Sequence, residues 1–164
     1  MDTSSGYLTS ALEMATMIIS SLCEKDYELN LVGLGLTSKD LEVIFNNPEL
    51  VSRLSNIKYL NLQENQIVEL PDAIGKFTNL THLQLGGNQI VELPDAIGKL
   101  TNLTHLGLGR NQIVELTDAI GKLKKLTHLQ LGGNKIETFP EAITGLWTLI
   151  YLDLSQNQIV ELPD

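Results

Sequence analysis

The chain's three histidines, His82, His105 and His128, stand 23 residues apart, each in the same Leu-Thr-His-Leu context. Imidazole is the side chain whose ordinary pKa lies nearest neutrality, and its ring nitrogens ligate zinc and copper. The equal spacing therefore admits metal ligation, proton chemistry or a hydrogen-bonding contact surface. Tyr59 and Tyr151 hold the same place one interval before and one interval after, and two residues further on stand Asn61, Gln84, Gly107, Gln130 and Asp153. Cys23 is the only cysteine, which excludes an internal disulfide and a cysteine-based zinc site. It is read as a small core residue rather than a nucleophile. No phosphate-binding glycine loop, nucleophile elbow or metalloprotease helix motif occurs, so no catalytic residue is assigned and the chain is read as a non-enzyme.

The elements that must position these side chains follow from the same interval. Asn65, Asn88, Asn111, Asn134 and Asn157 also recur every 23 residues, defining full units 57–79, 80–102, 103–125 and 126–148 and a partial unit 149–164. In each unit leucines such as Leu83 and Leu85 alternate with polar residues, the period-2 pattern of a strand with one buried side. The asparagine follows where the chain leaves the strand, and its amide can both donate to and accept from buried backbone. Pro71, Pro94 and Pro140 fix φ at the start of a return segment, and Gly75, Gly98, Gly121 and Gly145 are expected to supply permissive backbone near its end. That segment is expected to be a tight turn or short helix. Units 80–102 and 103–125 differ only at Gln84/Gly107, Gly87/Arg110, Pro94/Thr117, Thr101/Lys124 and Asn102/Lys125, which points to recent duplication or to consensus design.

Leu80-Thr-His-Leu83-Gln-Leu85-Gly-Gly-Asn88-Gln-Ile90 reproduces the pattern LxxLxLxxNxL, and on it the chain resembles the leucine-rich-repeat family. The continuation Val91-Glu-Leu93-Pro94-Asp-Ala-Ile97-Gly-Lys-Leu100 is similar to the 23-residue LPxxIxxL subclass of Ras-suppressor-like scaffolds, plant intracellular proteins, bacterial proteins and the N-terminal regions of Roco GTPases. The resemblance spans residues 57–164. It implies an α/β fold: a right-handed solenoid with a parallel sheet on its concave face and short turns or helices on its convex face.

No unit can bury its leucines alone, so the units must stack and the ends must be covered. Residues 1–25 are assigned to an N-terminal capping helix, because Leu8, Leu12, Ala15, Ile19 and Leu22 form one helical stripe. A membrane-surface helix is the competing reading, but the segment lacks a basic polar face. The repeat domain is placed at 26–164, beginning with a longer variant repeat, 26–56, in which Leu34 replaces the asparagine and Asn47-Pro48 starts a helix. The last unit has no such cover, so Leu149, Leu152, Leu154, Ile159 and Leu162 are expected to present an apolar edge. That edge fits a fragment of a longer protein or self-association.

Side chains on the outer side of neighbouring strands form ladders about 4.8 Å apart. The expected contact set for a protein or peptide is Tyr59, His82, Gln84, His105, Arg110, His128, Gln130, Tyr151 and Asp153, over a floor kept low by glycines. Polar filler copied by duplication is the plain alternative. A line of imidazoles does not close into a tetrahedral set, so no metal and no cofactor is assigned. Stacked imidazoles are expected to titrate near or below about 6.5. With 11 basic and 20 acidic residues the formal charge is −9, which disfavours nucleic acid. No apolar run approaches a membrane span and no signal peptide is recognised, so a cytoplasmic location is expected. The function expected is that of an interaction scaffold or adaptor. The alternatives are the recognition segment of a larger regulator, such as a Roco-like GTPase or a bacterial effector, and an engineered scaffold without a natural ligand.

Overall fold

A computed structural model describes residues 10–23 and 26–161. Six three-residue strands, β1 (Glu28–Asn30), β2 (Tyr59–Asn61), β3 (His82–Gln84), β4 (His105–Gly107), β5 (His128–Gln130) and β6 (Tyr151–Asp153), form one parallel sheet in chain order. Each strand pairs in register with the next, so Tyr59, His82, His105, His128 and Tyr151 are cross-strand neighbours. Leu60, Leu83, Leu106 and Leu129, central in their strands, are buried beneath the sheet, as are Leu62, Leu85, Leu108 and Leu131 just beyond. Each such leucine contributes roughly 1.5–3 kcal/mol of burial.

The asparagines form the second column. Asn88 accepts from the Ile67 N–H at 3.1 Å and donates to the carbonyls of Leu62 and Leu85, both at 2.9 Å. Asn111 and Asn134 repeat this arrangement on their own neighbours. The bonds reach back to the preceding coil, and ahead of the first coil, which carries Leu34 at this position, the described residues form a helix rather than another strand coil.

The return segments are single 3₁₀ turns, Asp72–Lys76, Asp95–Lys99, Asp118–Lys122 and Glu141–Ile143. Pro71, Pro94 and Pro140 precede three of them in extended conformation. Thr117 replaces proline before the remaining one and caps it instead, its hydroxyl accepting from the Ala119 N–H at 3.2 Å. The expectation of permissive backbone at Gly75, Gly98, Gly121 and Gly145 needs correction, because none of them lies at positive φ. What excludes a side chain at Gly75 and Gly98 is the next coil: a Cβ on Gly98 would sit 2.9 Å from the Ala119 carbonyl oxygen.

The variant first repeat carries two helices on its convex side, α2 (Ser38–Asn46) and α3 (Pro48–Leu54), the second capped by Asn47, which accepts from the N–H groups of Glu49 and Leu50. Helix α1 (Ala11–Ser21) starts with a Ser10/Glu13 capping box, packs against α2 and α3, and buries Ala15 and Ile19 in the same core. Leu12 and Leu22 are partly buried against that core, whereas Leu8 lies outside the described residues. At the other end Leu152 is 36% exposed where its counterpart Leu129 is 0% exposed, because β6 is the edge of the sheet. Leu149, Leu154 and Ile159 are partly buried, and Leu162 lies outside the described residues.

Candidate functional site

The strand register converts the 23-residue interval into a stack of rings. His82 and His105 lie with ring centroids 4.2 Å apart and planes 11° from parallel, and His105 and His128 are 4.3 Å apart at 9°. Tyr59 and Tyr151 close the column at 5.7 and 5.9 Å from His82 and His128.

A threonine holds each imidazole. The Oγ1 atoms of Thr81, Thr104 and Thr127 lie 2.9 Å from the Nδ1 atoms of His82, His105 and His128. Each hydroxyl has one hydrogen, and each donates it at 3.0 Å to a backbone carbonyl of the preceding coil, that of Lys58, Thr81 and Thr104 respectively. The hydroxyl can therefore only accept from the ring, which fixes the neutral imidazoles as Nδ1–H tautomers and leaves every Nε2 as an acceptor. Near-parallel rings cannot turn these three lone pairs toward one ion at about 2.0–2.1 Å, the distance zinc requires. Burial, followed by the neighbouring charges of His82 and His128, lowers the pKa of His105 below its ordinary value.

Beside the column runs an open cleft of about 390 Å³, lined by Gln63, Glu64, Gln130, Asp153 and Ser155 over a floor that includes Gly86, Gly107 and Gly109. Of the expected contact residues, Arg110, Gln130 and Asp153 line this cleft, and Gln84 leans over Gly107 at its floor. Tyr59, His82, His105, His128 and Tyr151 form the adjacent column. Hydrogen bonds from the Ser155 side chain and backbone hold the Asp153 carboxyl below the usual carboxylate range.

The residue preceding each asparagine position has positive φ: Gly33 at 67°, Glu64 at 56°, Gly87 at 69°, Arg110 at 56°, Gly133 at 74° and Gln156 at 53°. This turn aims each of the first five N–H groups at a carbonyl of the next coil, as from Arg110 to Gly132 at 2.8 Å. Glycine takes this conformation without strain, whereas a residue bearing Cβ gives up on the order of 1–2 kcal/mol. Sequence reasoning missed Glu64, Gln156 and the three threonines. The threonines carried a signal in their fixed place before each histidine, and Glu64 and Gln156 in their exchange with glycine at the 23-residue interval.

Cys23 is corrected: it is exposed, in the link that follows the α1 C-cap at Leu22, and so is no core residue. Among the described residues no group of three or more His, Cys, Asp or Glu side chains converges in a way that could hold a metal ion, and no helix is long and apolar enough to cross a membrane.

The sheet, the asparagine column and the open strand face are those of a leucine-rich-repeat domain, and comparison with known families agrees. The family described as leucine-rich repeat region matches residues 42–116, and that described as leucine rich repeat matches residues 101–159. The chain is a leucine-rich-repeat protein, and such domains generally mediate protein–protein interaction. Among solved structures it is similar to a leucine-rich-repeat protein of Leptospira interrogans, with TM-score 0.68 and 38% identity over 71% of this chain and 30% of that one. It is also similar to an internalin of Listeria monocytogenes, with TM-score 0.61 and 33% identity over 68% of this chain and 32% of that one. The chain thus spans about a third of the length of either protein. No curated protein sequence matches it significantly.

Proposed function

We propose that the protein is an interaction scaffold that holds a segment of another protein on its concave sheet face, across the Tyr–His column and the neighbouring cleft. The observation that carries this reading is the column itself: five rings in register, three with Nε2 acceptors fixed in one orientation, beside a polar cleft with a glycine floor. A preorganised row of acceptors costs a partner little ordering of this surface. The reading assigns no reaction to this chain; catalysis, if the chain serves a larger regulator, resides outside these residues. A cytoplasmic location belongs to the same reading. The test is affinity capture with wild type and a His82→Ala/His105→Ala/His128→Ala variant of unchanged circular dichroism. Partners held by wild type and lost by the variant support the reading, and identical partner sets reject it.

A second reading, self-association through the β6 edge, rests on the exposure of Leu152 and of Ile150, which is 81% exposed. Sedimentation equilibrium of wild type and Leu152→Lys decides it. A concentration-dependent dimer abolished by the substitution is the expected result, and a monomer throughout rejects it.

A further inference from the structure

The units 80–102 and 103–125 form an internal control, since they share their core and differ at five positions. Three of the five exchanges find partners inside the protein. Thr117, in place of proline, caps its own 3₁₀ turn and donates to the Asp95 carboxylate. Lys124 donates to the Gly145 carbonyl at 3.1 Å, and Lys125 to the Asn102 side chain at 2.7 Å. The remaining two, Gly107 for Gln84 and Arg110 for Gly87, both line the cleft; Gly107 has no side chain to pair, and that of Arg110 makes no hydrogen bond among the described residues. Arg110 takes the left-handed conformation between two coils that use glycine there, with φ 56° against 69° at Gly87 and 74° at Gly133. Its side chain extends over Gly133, and among the described residues no carboxylate forms an ion pair with it. Backbone strain is thus accepted for an exposed guanidinium that makes no hydrogen bond or ion pair among the described residues.

We infer that this cleft reads a single carboxylate on an extended segment of the partner protein, and that Arg110 is the residue that reads it. The inference rests on the concave-face reading above. Gly107, bearing no side chain, gives room for the amide oxygens of Gln84 and Gln130 to lie over it from either side, placed to accept from the segment's backbone. The Glu64 carboxylate lies over Gly87 and that of Asp153 over Gly132. A cleft lined by one guanidinium and by the Glu64 and Asp153 carboxylates favours one acidic residue flanked by neutral or basic ones and repels an acidic run.

The test pans a randomised dodecapeptide display library against the whole protein, then titrates the selected peptides into wild type, Arg110→Gly and the triple histidine variant. Arg110→Gly installs the residue of the sister repeat, so it folds, and release of the left-handed strain raises its thermal midpoint. The expected result is a fixed Asp or Glu in the selected peptides, with affinity falling at least about tenfold on Arg110→Gly, the scale of one charge-assisted pair. Changing that acid to its amide gives the same loss in wild type and no further loss in Arg110→Gly. Peptides that lose affinity on the triple histidine variant but show no acidic preference, or that bind Arg110→Gly as well as wild type, overturn the carboxylate inference and leave the concave-face reading standing. Absence of any peptide sensitive to either variant overturns both.

Discussion

Replacing Asn111 by alanine tests whether the asparagine column is what joins one coil to the next. The side chain is 2% exposed, accepts from the Ile90 N–H at 3.0 Å and donates to the carbonyls of Leu85 and Leu108, both at 3.0 Å. The losses are unequal. The Leu85 carbonyl keeps its bond from Asn88 and that of Leu108 keeps its bond from Asn134, so each carbonyl falls from two side-chain donors to one. The Ile90 N–H loses its acceptor in a site closed to water. An orphaned buried donor costs about 1–3 kcal/mol and each of the two surrendered shared bonds about 0.5–1.5, so Asn111→Ala is expected to destabilise by roughly 2–6 kcal/mol. Asn157, half-buried at the sheet edge, makes the same kind of bonds, but water reaches its coil, so Asn157→Ala is expected to cost about 1–2 kcal/mol. Urea unfolding followed by circular dichroism gives the energies, and amide exchange at Ile90 gives the site. An Asn111→Ala cost below about 0.5 kcal/mol, or an Ile90 amide still as protected as that of Ile67, refutes the reasoning. Asn111→Asp sharpens it by retaining the acceptor for Ile90 while setting a carboxylate oxygen against two carbonyl oxygens; at neutral pH it is expected to be at least as damaging as alanine.

The remaining predictions concern the histidines and the glycines. Thr104→Val removes the acceptor for the His105 Nδ1–H, and nitrogen-15 spectra are expected to show a single Nδ1–H tautomer at His105 in wild type and a mixture in the variant. A mixture already present in wild type contradicts the assignment. Because the folded protein lowers the His105 pKa, the unfolded chain binds more protons between the folded value and about 6.5. The stability linked to this ring is therefore complete above about pH 6.5 and lost as pH falls through the folded value, so wild type is expected to weaken more than His105→Gln between pH 7.5 and pH 5. Equal weakening in urea unfolding counts against it. Gly98→Ala forces a Cβ to 2.9 Å from the Ala119 carbonyl oxygen and 3.1 Å from the Ala119 Cβ, at a cost of about 1–3 kcal/mol. Gly145→Ala, whose nearest neighbour would be the Lys124 Nζ at 3.5 Å, is expected to leave the thermal midpoint within about two degrees of wild type. Gly145 stands one residue past Thr144, the register equivalent of Gly98, so matching midpoints for the two variants would show that approach of the next coil is not what excludes a side chain at Gly98.

Much of the fold was legible because a stacked repeat makes its contacts between like positions. Leu83 meets Leu106 and Asn88 bonds across one coil interval, so a single periodicity in sequence stands for many separate placements in space. The ring column was legible for the same reason, since parallel pairing in register leaves His82, His105 and His128 no other relation. What periodicity conceals is how two residues of one type differ in role. Gly87 and Gly98 both occupy fixed positions of the 23-residue unit, yet the first is favoured by its φ of 69° and the second by a carbonyl 2.9 Å from where its Cβ would stand. Only backbone angle and neighbour distance separate them. Cys23 escaped because it belongs to no repeat, so its apolar character was the only evidence offered and the link after α1 was not.

The cleft was the least legible part, for a reason that also shows where recognition is encoded. Core positions are constrained by both neighbouring coils, so duplication preserves them: Leu83, Leu85, Ile90 and Leu100 have identical counterparts in Leu106, Leu108, Ile113 and Leu123. Cleft positions are constrained by backbone conformation alone, and there the default is glycine, as at Gly87 and Gly133. Glu64, Arg110 and Gln156 each depart from that default at a site where departure strains the chain. Strain of the same sign at three alternate coils, with the intervening coils left as glycine, leaves room for each long side chain to lie over its smaller neighbour, as Glu64 does over Gly87 and Arg110 over Gly133. Filling Gly87 with arginine is therefore expected to do more than add charge. Its Cβ would meet the Glu64 carboxylate oxygen at 2.6 Å, so Glu64 must swing away and the alternation of sign along the cleft is lost. Gly87→Arg is expected to lower stability by about 1–2 kcal/mol in urea unfolding, from the left-handed conformation alone. A variant as stable as wild type would mean that the exchange of glycine for longer residues along this row carries no cost, and that Arg110 needs no external partner to account for it.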